Sequence, residues 1–238
     1  MDHNGQFEGY LASLRERAGF AAPLADQKNY RLALTGFDNS NIYRTADVLR
    51  DWLKSKPVDG KATAAFFNLI ALHDGNRALG SFKSMPFKPR AENLLNDLNQ
   101  VMTEIESSGR KVLFLVVPEH GAAVRGDKIQ MPRLREIPSP KITHVPVLVK
   151  FFGLPQETRP QVQIRVEERT SYLAVADLIG RTISCDPWSN VGTCRAEDLL
   201  KQLPQTWSVS ENTGAAVLEY QNRWKVKLPG DKWIDYPQ

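Results

Sequence analysis

Two histidines stand directly after long apolar runs, where side chains could do chemistry. Residues 112–117 are entirely apolar and are followed, after Pro118, by Glu119, His120 and Gly121, and the apolar residues 62–72 are followed by His73. An apolar run of this kind is typical of a strand buried in a parallel sheet. Open sheets of α/β proteins keep their reactive groups at the carboxyl ends of the strands. The alternative is an ordinary solvated turn carrying two polar residues.

Glu119 and His120 are a candidate metal-binding pair. They combine a carboxylate oxygen with an imidazole nitrogen, and this mixture suits zinc or, second, manganese. A zinc site needs about three protein ligands or more, so the pair is only part of a set. His73 could complete the set or contact the substrate.

A basic loop follows the candidate metal pair. Residues 122–139 show little periodicity and contain Arg125, Lys128, Arg133 and Arg135. Long loops without secondary structure are often functional, and the planar guanidinium of arginine suits phosphate. Arg135, with apolar neighbours, is the first choice for a phosphate contact. The alternative is a solvated charged loop.

The remaining histidines carry weaker signals. His144 lies inside an apolar segment and is interpreted as a structural hydrogen-bonding residue, while His3, near the start of the chain, is left open. No Gly-x-Ser-x-Gly motif and no glycine-rich phosphate loop with lysine occurs. The sequence therefore offers candidate ligands but no candidate nucleophile.

The pattern of elements predicts an α/β fold with a mostly parallel sheet flanked by helices. The predicted segments are a short helix at 8–17, strands at 31–35, 62–72, 112–117 and 144–149, and helices at 44–56, around 94–105 and at 171–179, the last ending at Gly180. Strand, helix, strand in this order implies a right-handed crossover. From residue 206, short alternating segments predict a small antiparallel appendage, which divides the chain into residues 1–204 and 205–238.

Composition excludes some classes of protein. The 238 residues are 42% hydrophobic and 24% charged, as in an ordinary globular protein. The net charge of +4 comes from basic residues spread along the chain, so no nucleic-acid-binding stripe is expected. No segment has the length and hydrophobicity of a membrane span or a secretory signal, so any anchor is expected outside these residues.

Cys185 and Cys194 are the two cysteines of the chain, and they bracket a turn-rich stretch. Their spacing is wider than that of the usual Cys-x₂₋₄-Cys metal motif, and no histidine is adjacent. A local disulfide is the favoured interpretation, and with it an extracytoplasmic setting.

The order of these segments resembles the alkaline phosphatase and sulfatase superfamily. Residues 116–121 resemble the strand that delivers an acidic residue and His-Gly to the metal in that superfamily, with Glu119 in place of the usual aspartate. Residues 143–149 and 172–180 resemble the following strand and helix, and His73 falls where the superfamily has another strand-terminal histidine. The resemblance implies an alkaline-phosphatase-like fold.

Within the superfamily, the chain resembles the phosphoethanolamine transferases that modify bacterial cellulose. The residues that carry this resemblance are Glu119-His120-Gly121, His73-Asp74-Gly75-Asn76 and Asp2-His3-Asn4-Gly5. It implies a zinc enzyme that moves phosphoethanolamine from phosphatidylethanolamine to cellulose, with Glu119 and His120 as metal ligands and His73 and Arg135 as catalytic residues. It also implies a periplasmic domain, anchored in the inner membrane, that works with the cellulose synthase complex.

The resemblance further implies that these residues are the C-terminal part of the catalytic domain. In the superfamily an N-terminal part supplies a further metal ligand and a hydroxyl nucleophile, so the present residues alone are expected to be inactive. Two alternatives stay open. One is a sulfatase or phosphodiesterase of the same superfamily, and the other is a non-catalytic module that binds polysaccharide or lipid headgroups.

Overall fold

The structure is a computed structural model. It describes residues 30–56, 62–122, 124–126, 131, 139–156, 169–190, 192–206, 208–210, 215–220, 223–228 and 230–236. The chain divides into two compact units, Met1–Ser108 and Gly109–Gln238. The helix predicted at 8–17, and His3, lie outside the described residues. The predicted boundary between residues 204 and 205 stays a prediction.

The first unit joins a small hairpin to two packed helices. Strand β1 (Leu32–Thr35) pairs antiparallel with β2 (Asn41–Tyr43), and helices α1 (Thr45–Ser55) and α2 (Phe87–Ser107) follow. The apolar residues that α1 and α2 bury are Ala46, Leu49, Leu98, Val101 and Ile105. Their spacing of three or four residues puts them on one face of each helix, and for α2 this was predicted from the periodicity.

Ion pairs join α1 to α2 beside this apolar contact. Arg44 meets the largely buried carboxylate of Asp97 at 2.5 Å, and the same carboxylate accepts the backbone N–H of Ala46 at 3.3 Å. Arg50 meets Glu104 at 2.6 Å, about two turns further along both helices. Asp97 thus satisfies a backbone donor in the first turn of α1, for which Arg44 provides no side-chain cap.

Residues 62–72 form no strand, and the prediction of one is wrong. The segment has no regular secondary structure, and much of it is exposed. Its last carbonyl groups are satisfied by side chains instead of a strand partner: Asn76 donates to Ile70 at 2.7 Å, and Arg90 donates to Leu72 at 2.6 Å. Apolar composition alone could not reveal that these carbonyls have side-chain partners.

The second unit begins with a two-stranded antiparallel sheet. Strand β3 (Val112–Val116) pairs with β4 (Leu148–Phe152), and the short helix α3 (Pro140–Thr143) lies between them in the chain. The strand predicted at 144–149 is therefore shifted toward the C-terminus. Pro146 has no N–H to donate to a neighbouring strand, and the observed pairing starts two residues later.

Helices α4 (Tyr172–Cys185) and α5 (Ala196–Lys201) pack beside this sheet. Leu178, Cys194 and Leu199 form a buried cluster, and the partly buried hydrophobic residues around it are Leu115, Val149, Phe151, Cys185, Leu200 and Leu203. The disulfide between Cys185 and Cys194 is present, which confirms the prediction. Helix α4 continues through Gly180, where an end was predicted, because the following turn packs and carries the disulfide.

A four-stranded antiparallel sheet completes the second unit. Its strands pair in chain order: β5 (Ser208–Ser210), β6 (Ala216–Tyr220), β7 (Arg223–Lys227) and β8 (Ile234–Asp235). Val217 and Val226 lie opposite each other on its buried face. The predicted antiparallel appendage is confirmed.

The predicted mostly parallel sheet is not found. Every strand pairing among the described residues is antiparallel, and the architecture is one of helices with small antiparallel sheets. The apolar run of β3 suggested burial on both faces, whereas all five of its residues are half-buried and β4 alternates between shielded and exposed positions. The alkaline-phosphatase-like fold stays a prediction. No helix in the part of the chain that the structure describes is long and apolar enough to cross a bilayer.

Candidate functional site

Glu119, His120 and Gly121 lie just beyond β3, in the turn that leads away from it. The N–H of Gly121 donates to the carbonyl of Ile142 at 2.7 Å. A Cβ at position 121 would fall inside contact distance of the Lys141 carbonyl oxygen, so no larger residue fits there without moving the backbone. Glycine is required here for close approach of two chain segments.

His120 is held in one tautomer. Its Nδ1 lies 2.6 Å from the carbonyl oxygen of Gly121, and since a carbonyl only accepts, Nδ1 carries the proton. The lone pair is then on Nε2. A metal-binding histidine commonly has this arrangement, with the second nitrogen donating to a backbone carbonyl.

The carboxylate of Glu119 is exposed next to this histidine. Its backbone is fixed from α4: the Tyr172 hydroxyl donates to the Pro118 carbonyl at 2.8 Å and also contacts the Glu119 carbonyl. The turn after β3 is thus tied both to α3 and to α4. Glu119 and His120 can therefore present an oxygen and a nitrogen ligand from an anchored backbone.

His73 lies in the first unit, in a turn between residues 70 and 76. Its ring stacks on Phe37, with the centroids 4.0 Å apart and the planes at 19°. Nδ1 lies 2.6 Å from the Asp74 carbonyl oxygen, so this imidazole also keeps its lone pair on Nε2. The ring is exposed, and these two contacts fix its orientation.

Arg90 of α2 holds the His73 turn from inside. Its side chain is 3% exposed. One guanidinium nitrogen donates to the carbonyls of Leu72, at 2.6 Å, and of His73, and another donates to the Asp74 carboxylate at 2.8 Å. The planar fork of arginine can reach these acceptors together, which a lysine could not do with the same geometry.

Asn76 completes the support of this turn. The residue is fully buried, its Nδ2 donates to Ile70, and its Oδ1 accepts the N–H of Phe37 at 3.1 Å. Gly75 adopts a φ of +90°, which favours glycine, and a Cβ there would press on Phe37. The stacked Phe37 ring and the His73 turn are therefore connected through backbone and side-chain bonds.

A polar turn lies next to the Phe37 ring. Asp38 accepts the hydroxyl of Ser40 at 2.6 Å and its N–H at 3.0 Å, and these bonds hold the pKa of Asp38 below its ordinary value. A carboxylate thus stays ionised near the candidate catalytic imidazole.

His144 packs against aromatic and cationic side chains, and the hydrogen-bonding role suggested by the sequence stays a prediction. Its ring meets Trp224 edge-on, with centroids 4.9 Å apart, and the Arg169 guanidinium lies over the same tryptophan. Burial, and then the charge of Arg169, lower the pKa of His144 below its ordinary value. The imidazole is thus favoured in its neutral form within an aromatic and cationic group of side chains.

The structure brings together only part of the predicted site. Glu119 and His120 are neighbours in the second unit, whereas His73 belongs to the first, and the parallel sheet that was to align them is not formed by the described strands. Arg135, Lys128 and Arg133 lie outside the described residues, and Arg125 is exposed. No group of three or more His, Cys, Asp or Glu that could hold a metal occurs within the described ranges.

Arg90, Phe37 and Tyr172 are the residues near these sites that sequence reasoning missed. Arg90 is 17 residues from His73, and Tyr172 is 53 residues from Glu119. No local pattern connects such pairs. The one available signal was Gly75-Asn76 after His73, which marks a tight turn whose polar groups need partners.

Comparison with known proteins places the chain in a family. Residues 1–233 match the family described as Cellulose biosynthesis protein BcsG C-terminal domain. The chain is 43% identical over 247 residues to the Cellulose biosynthesis protein BcsG of Escherichia coli (strain K12), covering 100% of this chain and 42% of the relative. It is also 43% identical over 241 residues, with the same coverage, to the protein of that name from Salmonella typhimurium. The chain thus spans less than half the length of these curated relatives, and it belongs to the BcsG C-terminal domain family of cellulose biosynthesis proteins.

Proposed function

We propose that this chain is part of a zinc-dependent phosphoethanolamine transferase that moves phosphoethanolamine from phosphatidylethanolamine to cellulose, in the periplasm and together with the cellulose synthase complex. The family supports the coarser part of this proposal, a protein of cellulose biosynthesis. The donor, acceptor, metal and location rest on the resemblance of the Glu119-His120-Gly121 segment to the metal-binding strand end of the superfamily.

One observation carries the metal assignment. The bond from His120 Nδ1 to the Gly121 carbonyl leaves the lone pair on Nε2, and the preceding residue, Glu119, has an exposed side chain. The two donors fit zinc in chemistry and supply two of the four ligands of a closed site. The remaining ligands are not assigned among the described residues.

Glu119 and His120 would hold the ion, which would lower the pKa of a coordinated hydroxyl and offset phosphoryl charge. The chain's own residues have separate tasks. The Gly121 turn fixes the direction of both ligands, and Tyr172 holds the backbone of Glu119. Arg135, by resemblance, would pair with the phosphoryl oxygens.

His73 is proposed to move a proton. Its Nε2 can accept the proton of the attacking glucose hydroxyl when phosphoethanolamine is transferred to cellulose, or bind a phosphoryl oxygen once protonated. Stacking on Phe37 and the bond from Nδ1 to Asp74 restrict the ring to one orientation. Restricting a catalytic group in this way lowers the entropic cost of reaching the reactive geometry.

The test replaces one ligand in the intact protein. Glu119→Ala should lower the zinc content, measured by mass spectrometry of the purified protein, and abolish transfer of phosphoethanolamine to a cello-oligosaccharide. His144→Asn is the matched control, because it changes a histidine of the same unit that is assigned no ligand role. Unchanged zinc content and transfer activity in Glu119→Ala would contradict the ligand assignment.

The same preparations separate the related reactions. Release of sulfate from aryl sulfates, or hydrolysis of a phosphodiester without transfer to sugar, would favour the sulfatase or phosphodiesterase alternative. Binding of polysaccharide with no bound zinc and no transfer would favour a non-catalytic module.

A further inference from the structure

An exposed apolar loop lies next to the His73 turn in the first unit. We define the Phe82 loop as residues 78–88. Phe82 is 95% exposed, Leu79 is 51% exposed and Phe87 is 53% exposed. Holding a phenylalanine almost entirely in water is unfavourable, so such a patch often marks a surface that binds something.

The exposure of Phe82 does not come from a lack of local structure. The Ser81 N–H donates to the Ala78 carbonyl at 3.0 Å, and the Ser81 hydroxyl accepts the N–H of Lys83 at 3.1 Å. At the base, Arg77 and Ser84 form a β-bridge. The loop therefore presents Phe82 on a backbone that is bonded on both sides of it.

The loop itself carries only positive charge, and the nearest acidic residues in the sequence are Asp74 and Glu92. Residues 75–91 contain no aspartate or glutamate, and their basic residues are Arg77, Lys83, Lys88 and Arg90. Lys83 is exposed, and Lys88 is 85% exposed and meets Glu92 only at 3.8 Å. An exposed aromatic side chain flanked by lysines is the combination that suits the interface of an anionic bilayer.

The loop is joined to the His73 turn at both of its ends. On one side, the Asn76 carbonyl accepts the N–H of Met85 at 2.8 Å, while the Asn76 N–H donates to His73 at 3.3 Å. On the other side, Arg90, two residues beyond the loop, holds the His73 carbonyl. These hydrogen bonds hold the loop and the His73 turn together as one part of the first unit.

We propose that the Phe82 loop is a membrane contact, whose partner is a phospholipid bilayer that contains anionic lipid. Phe82 enters the interfacial region, and Lys83 and Lys88 lie against the headgroup phosphates. The contact brings the His73 turn to the level of the lipid headgroups. This last consequence rests on the proposed function, in which the donor is a membrane lipid; the binding itself does not.

The binding test uses the intact protein and two kinds of vesicle. One kind contains phosphatidylethanolamine and phosphatidylglycerol, and the other contains phosphatidylcholine alone. Phe82→Ser should bind the anionic vesicles about tenfold more weakly, the effect of losing one buried aromatic side chain. Phe66→Ser is the matched control, because Phe66 is 73% exposed in the same unit but lies outside the loop. Lys83→Glu should weaken binding to anionic vesicles only.

A second measurement separates membrane binding by the Phe82 loop from the transfer reaction itself. Phe82→Ser should lower transfer from a phosphatidylethanolamine in vesicles and leave transfer from a soluble short-chain phosphatidylethanolamine unchanged. If no variant and no wild-type protein transfers phosphoethanolamine, the proposed function fails while the binding result still stands.

The alternative is that Phe82 is covered by another part of the protein or by a second copy of it. A tryptophan at position 82 serves as a fluorescent probe of this alternative. In Phe82→Trp the emission should shift to the blue only when anionic vesicles are added. A blue-shifted tryptophan that is protected from a water-soluble quencher before vesicles are added would overturn the proposal. Equal vesicle binding by Phe82→Ser and the wild type would do the same.

Discussion

Arg90 donates a hydrogen bond from a buried guanidinium group to the backbone carbonyl of His73. The bond makes a residue of helix α2 responsible for the shape of a turn that comes 17 residues earlier. Because the imidazole of His73 is itself exposed, its position depends on the hydrogen bond that Arg90 makes to its backbone. The candidate catalytic histidine is thus positioned by its backbone.

Replacing Arg90 should affect both stability and activity. In Arg90→Met, two carbonyls and a carboxylate lose their donor, and we expect the free energy of unfolding to fall by about 2–3 kcal/mol in urea titrations. Arg90→Lys keeps the charge and some of the bonds. If Arg90 positions His73, the lysine variant should recover most of the stability while transfer activity stays low.

The control for Arg90 is Arg50→Met. Arg50 meets Glu104 at 2.6 Å between α1 and α2, where both side chains are about one-third exposed. Pairs of this kind contribute about 1 kcal/mol or less.

Recovery of full activity in Arg90→Lys would argue that the charge of Arg90 matters and its geometry does not.

Gly121→Ala should disrupt the turn that carries Glu119 and His120. The added Cβ meets the Lys141 carbonyl, so the two segments must separate and the bond from Gly121 to Ile142 is lost. We expect a lower melting temperature and weaker zinc binding in the same variant. The measurement is thermal unfolding with and without added zinc.

Gly180→Ala provides the matched control for this substitution. Gly180 lies inside α4, and nothing lies within 4 Å of a Cβ built there. Alanine is favoured over glycine within a helix by about 1 kcal/mol, so this variant should be more stable than the wild type. A Gly121→Ala variant as stable as Gly180→Ala would show that the Lys141 segment moves aside easily.

Removing the disulfide should destabilise the second unit. Cys185 and Cys194 are nine residues apart, and closing a loop of that length contributes about 2.5 kcal/mol through the entropy of the unfolded chain. The double variant Cys185→Ser, Cys194→Ser should therefore unfold at lower urea concentration. Dithiothreitol should lower the urea midpoint of the wild-type protein and leave that of the double variant unchanged. An equal decrease of the midpoint in both proteins would contradict a stabilising role for the disulfide.

His144 should make the protein less stable in mild acid. Its folded pKa lies below the ordinary value of 6.5, mainly because of burial and then because of Arg169. As the pH falls through 6.5, the unfolded chain therefore takes up a proton before the folded one does. The contribution to stability is complete above this value and declines below it.

The variant His144→Phe tests this dependence. It keeps an aromatic ring against Trp224 and removes the titrating group. The decrease of the urea midpoint on going from neutral to mildly acidic pH should be smaller than in the wild type. An identical pH dependence in both proteins would assign the acid sensitivity to other groups.

Local patterns in the sequence predicted individual elements well. The helix predicted at 44–56, the periodicity of α2, the strand segments β6 and β7, and the spacing of the cysteines each depend on neighbouring residues, and each is found in the structure. The Glu119-His120-Gly121 turn was also readable, because a polar group at the end of an apolar run is a local signal. Its metal-binding role stays a prediction.

Which segments pair as strands, and which side chains hold the His73 turn, could be learned only from the tertiary structure. The apolar residues 62–72 and 112–116 looked alike in sequence, yet only the second became a strand. Residues 70–73 have carbonyls that Asn76 and Arg90 satisfy, and these partners come from later in the chain. Strand direction likewise depends on which segment lies alongside, and β3 pairs antiparallel with β4.

The sequence by itself therefore determined helices α1 and α2, the C-terminal strand segments and the disulfide, and it named the residues whose chemistry stays a prediction. The tertiary structure decided which nitrogen of His73 and of His120 keeps its lone pair, since this depends on the orientation of each ring toward a backbone carbonyl. It also decided that Arg90 supports one histidine and Tyr172 the turn of the other. These are contacts between distant residues, and only folding brings such residues within hydrogen-bonding distance.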